Sequence, residues 1–231
     1  MILLLDYDGT LTPIVPDPNR AYIERERKEF LDRLSKEHTL AIVTGRDMKS
    51  FHSVFGDVPE SIYVITSHGA KLYKGERLLK ELFPSKVPDL STLREKVRKL
   101  EGVVLEEKEG CFALHFRNFK GDEEHIKKLF YEFIKDNPPA KVIEGKKVLE
   151  GVYGDFDKGK GVEEFLKFLG WEGEEGLLYI GDDTTDLYAM EKVRSLGGRT
   201  IFVGTEKPLQ ADEVLPDVEA VYRFLESLRS Q

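Results

Sequence analysis

A single cysteine, Cys111, stands among 231 residues, so no intrachain disulfide can form and nothing points to secretion. No apolar run approaches the length of a membrane span. The apolar opening is too short for a signal-peptide core and has no basic leader. Positive charge is in deficit: 35 Lys and Arg face 43 Asp and Glu, for a net charge of −8. That balance argues against a nucleic-acid-binding surface and against anionic membranes. Histidine and cysteine are not placed to make a zinc site. No G-x-G-x-x-G follows an apolar run, so a dinucleotide fold is unsupported. Residues 154–161 come near a P-loop, but Gly161 stands where a Ser or Thr should be. Internal repeats and low-complexity linkers are also missing. These exclusions leave a cytoplasmic globular protein, long enough for one sizeable core plus an inserted unit. Its 34% charged residues exceed the usual ~25%, a feature of thermophile proteins.

What is present begins at the first residues. Ile2-Leu3-Leu4-Leu5 is a continuous apolar run, the pattern of a strand buried on both faces in a parallel sheet. It runs into Asp6-Tyr7-Asp8-Gly9-Thr10. Ligands of open α/β sheets bind beyond the carboxyl ends of the strands, so this strand delivers two carboxylates to the favoured edge. A carboxylate can act as a nucleophile, a second can move a proton, and a pair attracts a hard divalent cation. A solvated turn is the competing reading, since Asp and Gly are common in turns.

The next strand, 39–43, ends in Thr44-Gly45-Arg46, which offers a hydroxyl, free backbone amides and a guanidinium fork to a phosphate. A third, 62–66, runs into Ser67-His68-Gly69-Ala70, and a hairpin follows over 71–79. His68 is either a substrate contact or a polar strand end. Helices are expected over 20–38 and 47–55. From 84 to about 153 the texture becomes helix–strand–strand–helix–strand–strand, with a closing hairpin about Gly145-Lys146. The α/β alternation then resumes with a helix stopped by Gly170 and the buried-type strand Leu177-Leu178-Tyr179-Ile180. That strand enters Gly181-Asp182-Asp183-Thr184-Thr185-Asp186. The expected fold is α/β: a Rossmann-like parallel-sheet core of 1–84 and 154–231, with an inserted α+β unit over 85–153.

Two strands therefore end in acidic clusters, and in a parallel sheet both ends lie on one edge. So much negative charge in one crevice is unfavourable without a cation. Mg²⁺ fits, because carboxylates, waters and phosphate oxygens are its usual ligands. Lys158-Gly159, at a helix start, adds a cation suited to phosphate.

Asp6-x-Asp8-Gly9-Thr10-Leu11, Thr44, Lys158-Gly159 and Gly181-Asp182-Asp183-x-x-Asp186 resemble the four motifs of the haloacid-dehalogenase-like phosphohydrolases. Within them, the stretches Asp6 to Pro13, Thr44 to Arg46, Ser67 to Ala70, His115-Phe116-Arg117 and Gly181 to Asp186 are similar to the trehalose-6-phosphate phosphatases. The resemblance implies a Mg²⁺-dependent phosphatase with Asp6 as nucleophile and Asp8 as acid and base. Thr44 and Lys158 would hold the phosphoryl group. Metal ligands would be Asp6, the Asp8 main-chain carbonyl and Asp182, with Asp183 or Asp186 in support. Gly45, Arg46, His68 and Gly69 would contact substrate from the core. His115, Arg117, Lys146 and Glu150 would read the sugar from the insertion, which resembles the family's cap. It also implies a monomer acting on a small sugar phosphate, with a trehalose-6-phosphate synthase as metabolic partner. Two departures bear on the sugar: Leu187 follows Asp186 where the family has Glu, and Val152-Tyr153 replaces Arg-Pro. A phosphatase of sucrose 6-phosphate or mannosyl-3-phosphoglycerate, a phosphosugar mutase and a silent binder stand as alternatives.

Overall fold

The structure is a computed structural model that describes residues 1–83, 86–108, 110–145 and 147–229. The chain divides into two compact units, Met1–Leu82 with Phe156–Gln231, and Phe83–Asp155.

The first unit is an eight-stranded sheet. In chain order its strands are β1 (Ile2–Leu5), β2 (Thr39–Val43), β3 (Tyr63–Thr66), β4 (Lys71–Lys74) and β5 (Arg77–Glu81). After the four strands of the second unit come β10 (Leu177–Gly181), β11 (Arg199–Val203) and β12 (Glu213–Leu215). The order across the sheet is β12-β11-β10-β1-β2-β3-β4-β5. Strands β12 to β3 run parallel, and β4 and β5 close the edge as an antiparallel hairpin. The chain leaves β1 towards β2 on one side and returns to β10 on the other. The strand order thus reverses at β1, the point where α/β sheets open their binding crevice.

Every residue of β1 and β10 is buried, as unbroken apolar runs require. On one face Leu3, Leu5, Leu40, Ile42, Val64 and Ile180 pack under α1 (Arg25–Glu37), α2 (Met48–Phe55) and α7 (Val218–Leu228). Helices α5 (Lys158–Leu169) and α6 (Thr184–Ser195) pack together, and Phe165 of α5 meets Tyr63 of β3 with ring centroids 5.1 Å apart. Helix α1 starts at Arg25 instead of residue 20, because Pro18–Arg20 forms a 3-10 turn with Asp17 as its N-cap. Strand β12 was not expected: three residues at a sheet edge carry almost no periodic signal.

The second unit is a four-stranded antiparallel sheet in the order β6-β7-β9-β8. Its strands are β6 (Val104–Lys108), β7 (Cys111–His115), β8 (Lys141–Gly145) and β9 (Val148–Val152). Helices α3 (Ser91–Val97) and α4 (Glu123–Asp136) share a core with one sheet face, built on Phe112, Leu114, Leu149, Leu93, Ile126 and Phe130. Alternation along a strand puts Ala113 and His115 on the opposite face, with Glu150 paired to Ala113.

Candidate active site

Beyond β1 the parallel ladder continues one step, with the Asp6 N–H donating to the Ile180 carbonyl at 2.9 Å. This fixes Asp6 against the end of β10, where the second acidic cluster starts. Asp6 is 4% exposed. Lys158, the first residue of α5 and 3% exposed, donates to Asp6 Oδ1 and to Asp186 Oδ1, both at 2.7 Å. One buried ammonium therefore joins the two acidic strand ends. Oxygens of Asp6, Asp182 and Asp186 all lie within 4.8 Å of one another. Thr10 Oγ1 stands 3.4 Å from both Asp6 Oδ2 and Asp182 Oδ1. Gly9 makes this closeness possible: its φ is +86°, and a Cβ there would lie 2.0 Å from Asp182 Oδ2.

Three carboxylates to one lysine leaves the cluster short of positive charge. Burial lifts the Asp6 carboxyl well above its usual range, Asp186 adds to this, and Lys158 opposes it. Burial likewise pushes Asp182 up to about 6. Burial works against the Lys158 ammonium, yet Asp6 and Asp186 outweigh it and hold the group charged. An ionised Asp6 thus calls for more positive charge than Lys158 supplies. Hard oxygen donors grouped this closely fit Mg²⁺.

The three loop aspartates have separate tasks. Asp186 is fully buried, and its Oδ1 accepts from Lys158 and, at 2.6 Å, from the Tyr179 hydroxyl. Its Oδ2 accepts the N–H groups of Asp182 and Asp183, each at 3.0 Å. With its acceptor positions filled by protein, Asp186 braces the loop and the lysine, and Asp6 and Asp182 keep the free oxygens. Asp183, expected among the metal ligands, lies outside the group. It is exposed, caps α6 through Oδ1 to the Thr184 N–H, and forms a capping box with Asp186.

Asp8 and Arg46 form a second polar cluster. The Arg46 guanidinium grips Asp8 bidentately, Nε to Oδ2 at 2.7 Å and Nη2 to Oδ1 at 2.6 Å. Arg46 was expected at the phosphate; its fork is instead committed to a carboxylate whose planar geometry it matches. The Thr44 hydroxyl oxygen accepts the Arg46 N–H at 3.1 Å, which leaves its hydrogen to donate elsewhere. His68 is exposed and left-handed, at φ 56°, with its ring against Gly45. A Cβ on Gly45 would lie 2.4 Å from the ring, so that glycine makes room for the imidazole. Gly69 is buried in the same turn, with φ +109°.

Of the second unit's expected residues, His115 Nε2 lies 2.8 Å from Glu106 Oε2, Glu150 is half-buried on β9 and Arg117 is exposed. Lys146 falls outside the described residues. Two site residues carried no assignment from the sequence, Tyr179 and Thr10. A phenol inside the fully buried run of β10 was the available signal, since a buried tyrosine hydroxyl needs a partner.

A parallel sheet that gathers a buried aspartate, a lysine and an acidic loop at its switch point is the architecture of the haloacid-dehalogenase-like hydrolases. One such hydrolase from Bacteroides thetaiotaomicron is similar in fold, with a TM-score of 0.68 at 16% identity over 98% of each chain. The crystal structure of a trehalose-6-phosphate phosphatase related protein has a TM-score of 0.74 at 21% identity, over 100% of this chain and 97% of that one. A family model described as trehalose-phosphatase matches residues 4–212, and the chain belongs to that family. Trehalose-phosphate phosphatase B of Arabidopsis thaliana is 34% identical over 250 residues, 99% of this chain and 66% of the plant protein. The chain spans about two thirds of the length of the curated relatives it matches.

Proposed function

We propose that the protein is a Mg²⁺-dependent phosphatase that hydrolyses trehalose 6-phosphate to trehalose and inorganic phosphate. The observation that carries this reading is the buried Asp6–Lys158–Asp186 bridge at the switch point, in a chain of the trehalose-phosphatase family. Asp6 attacks phosphorus through the oxygen that Lys158 leaves open, and the bond from phosphorus to the sugar oxygen breaks. Asp8 gives that oxygen its proton. Water then attacks the aspartyl-phosphate, Asp8 takes up the water's proton, and phosphate leaves with Asp6 restored. Lys158 and the Thr44 hydroxyl hold the phosphoryl oxygens, while Gly45, His68 and Gly69 shape the turn beside them. Mg²⁺, held by Asp6, Asp182 and the Asp8 carbonyl, would neutralise the phosphate and the acidic cluster when bound. Phosphoryl transfer asks mainly for positioning and charge neutralisation, which this inventory supplies. The cytoplasm, a monomeric state and a synthase of the same sugar phosphate as metabolic neighbour belong to the same reading.

In this reading the second unit is the cap, and His115, Arg117, Lys146 and Glu150 recognise the sugar. One departure from the family's pattern lies in the segment after Glu150. Tyr153, at a position where the family has Pro, donates to the Asn137 carbonyl at 2.7 Å and packs near Phe112. Tyr153 is thus tied into the second unit's own packing.

Glu150→Ala separates sugar recognition from phosphate chemistry. Losing a charged hydrogen-bond partner of the sugar should lower kcat/KM for trehalose 6-phosphate about tenfold to a hundredfold. p-Nitrophenyl phosphate, which has no sugar hydroxyls, should keep its wild-type value. Equal losses on both substrates would remove Glu150 from sugar recognition.

A further inference from the structure

We infer that Arg46 is a positioning residue for Asp8, a fixed bracket from which the Asp8 carboxylate swings to serve the leaving group. The inference rests on the phosphatase reading above and adds to it how the acid is aimed.

The two partners are held very unequally. Besides gripping Asp8, the guanidinium donates from Nη2 to the Pro18 carbonyl at 2.7 Å and from Nη1 to Ser50 Oγ at 3.0 Å. Its Cζ lies 5.9 Å from the centroid of the buried Tyr7 ring. The Arg46 main chain is tied at both ends, its N–H to Thr44 Oγ1 and its carbonyl to the Ser67 N–H at 2.8 Å. The arginine side chain is 9% exposed, that of Asp8 33%. Among the described residues, the side-chain hydrogen bonds to Asp8 come from Arg46 alone. Remove the Asp8 contact and the arginine keeps its anchors; remove Arg46 and the Asp8 carboxylate has none. The moving partner is therefore Asp8.

Each Asp8 oxygen accepts one bond from the guanidinium and keeps one acceptor position, so the grip fixes the direction in which the carboxylate points. Opening one of the two bonds lets Asp8 turn towards a leaving oxygen while the other stays as a pivot. A planar fork with two parallel donors allows this, whereas a lysine ammonium offers no second fixed direction. Arg46 then sets the arc through which Asp8 travels.

The test uses aryl phosphates that run from good to poor leaving groups, all without sugar hydroxyls, on the full chain with Mg²⁺. kcat/KM reports the steps up to phosphoenzyme formation, so it isolates the protonation of the leaving group. In Arg46→Lys and Arg46→Ala, kcat/KM for the poorest leaving groups should fall about a hundredfold, towards the low end of what a positioned acid contributes. For p-nitrophenyl phosphate, whose leaving group needs no proton, the fall should stay within about threefold. The dependence on leaving-group basicity therefore steepens. A uniform loss across the series, with the slope unchanged, would mean that Arg46 grips phosphate or only supports the fold, and would overturn the inference. Should Arg46→Ala fail to fold, Arg46→Lys and Ser50→Ala decide by the same slope, the serine variant showing a milder steepening. If the wild-type protein hydrolyses the aryl series but not trehalose 6-phosphate, the sugar reading fails and the role of Arg46 still stands or falls on the slope.

Discussion

Asp6→Asn should remove at least about four powers of ten of turnover on every phosphate monoester, as loss of a covalent nucleophile does. The amide keeps the shape and an oxygen that can still accept from Lys158, but it cannot form the acyl-phosphate bond. Stability should survive the change. Lys158 pairs with two of the three grouped carboxylates, and Asp6, one of them, is lifted well above its usual range by burial and by Asp186. Neutralising it removes a buried negative charge that the lone lysine does not balance, while the Lys158–Asp186 pair stays intact. The thermal midpoint should therefore hold or rise while turnover vanishes. Labelled substrate, quenched in acid, should leave phosphate covalently bound to the wild-type protein and none on the variant. Near-wild-type turnover by the variant would take the nucleophile's role away from Asp6.

Removal of the divalent cation has the second-largest expected effect. With chelator present, phosphate release should drop to background, because the acidic cluster then repels the substrate's own charge. Asp182→Ala should either abolish activity or demand far more Mg²⁺. A second readout needs no substrate: Mg²⁺ should raise the thermal midpoint of the wild-type protein in proportion to its binding. That shift should be lost or much reduced in Asp182→Ala. Protons compete for the same oxygens. Burial pushes Asp182 up to about 6, and the protonated carboxyl is no ligand, so metal affinity should weaken as pH falls through that value. Full turnover in metal-free buffer would contradict the metal assignment.

The sequence showed most plainly what rests on local apolar runs. β1 and β10 are unbroken hydrophobic segments that end in aspartates, and parallel-sheet geometry places both ends on one edge. Lys158 could be singled out as a cation at a helix start, and it is the side chain that joins the two clusters. Less legible was what depends on long-range pairing. Arg46 has the right chemistry for a phosphate, and nothing nearby in the chain reveals that Asp8, 38 positions away, already fills its fork. Asp182, Asp183 and Asp186 look alike in one dimension. Only the start of α6 divides them into a metal candidate, a helix cap and a buried brace. Tyr179 was hidden by reading as one more apolar residue in a buried strand, although its hydroxyl supports Asp186.

The central claim is that this site, in a chain of the trehalose-phosphatase family, acts on trehalose 6-phosphate. Its most direct test is kcat/KM for phosphate release by the wild-type protein with Mg²⁺. Trehalose 6-phosphate, sucrose 6-phosphate, mannosyl-3-phosphoglycerate and glucose 6-phosphate should be compared side by side. All four are phosphate monoesters of primary alcohols, so the ranking reports recognition of the group that carries the phosphate, and a site that hydrogen-bonds a second ring can discriminate by up to ~10⁴. Trehalose 6-phosphate should be the best of the four, with glucose 6-phosphate well behind it. A higher value for any of the other three would contradict the assignment of substrate.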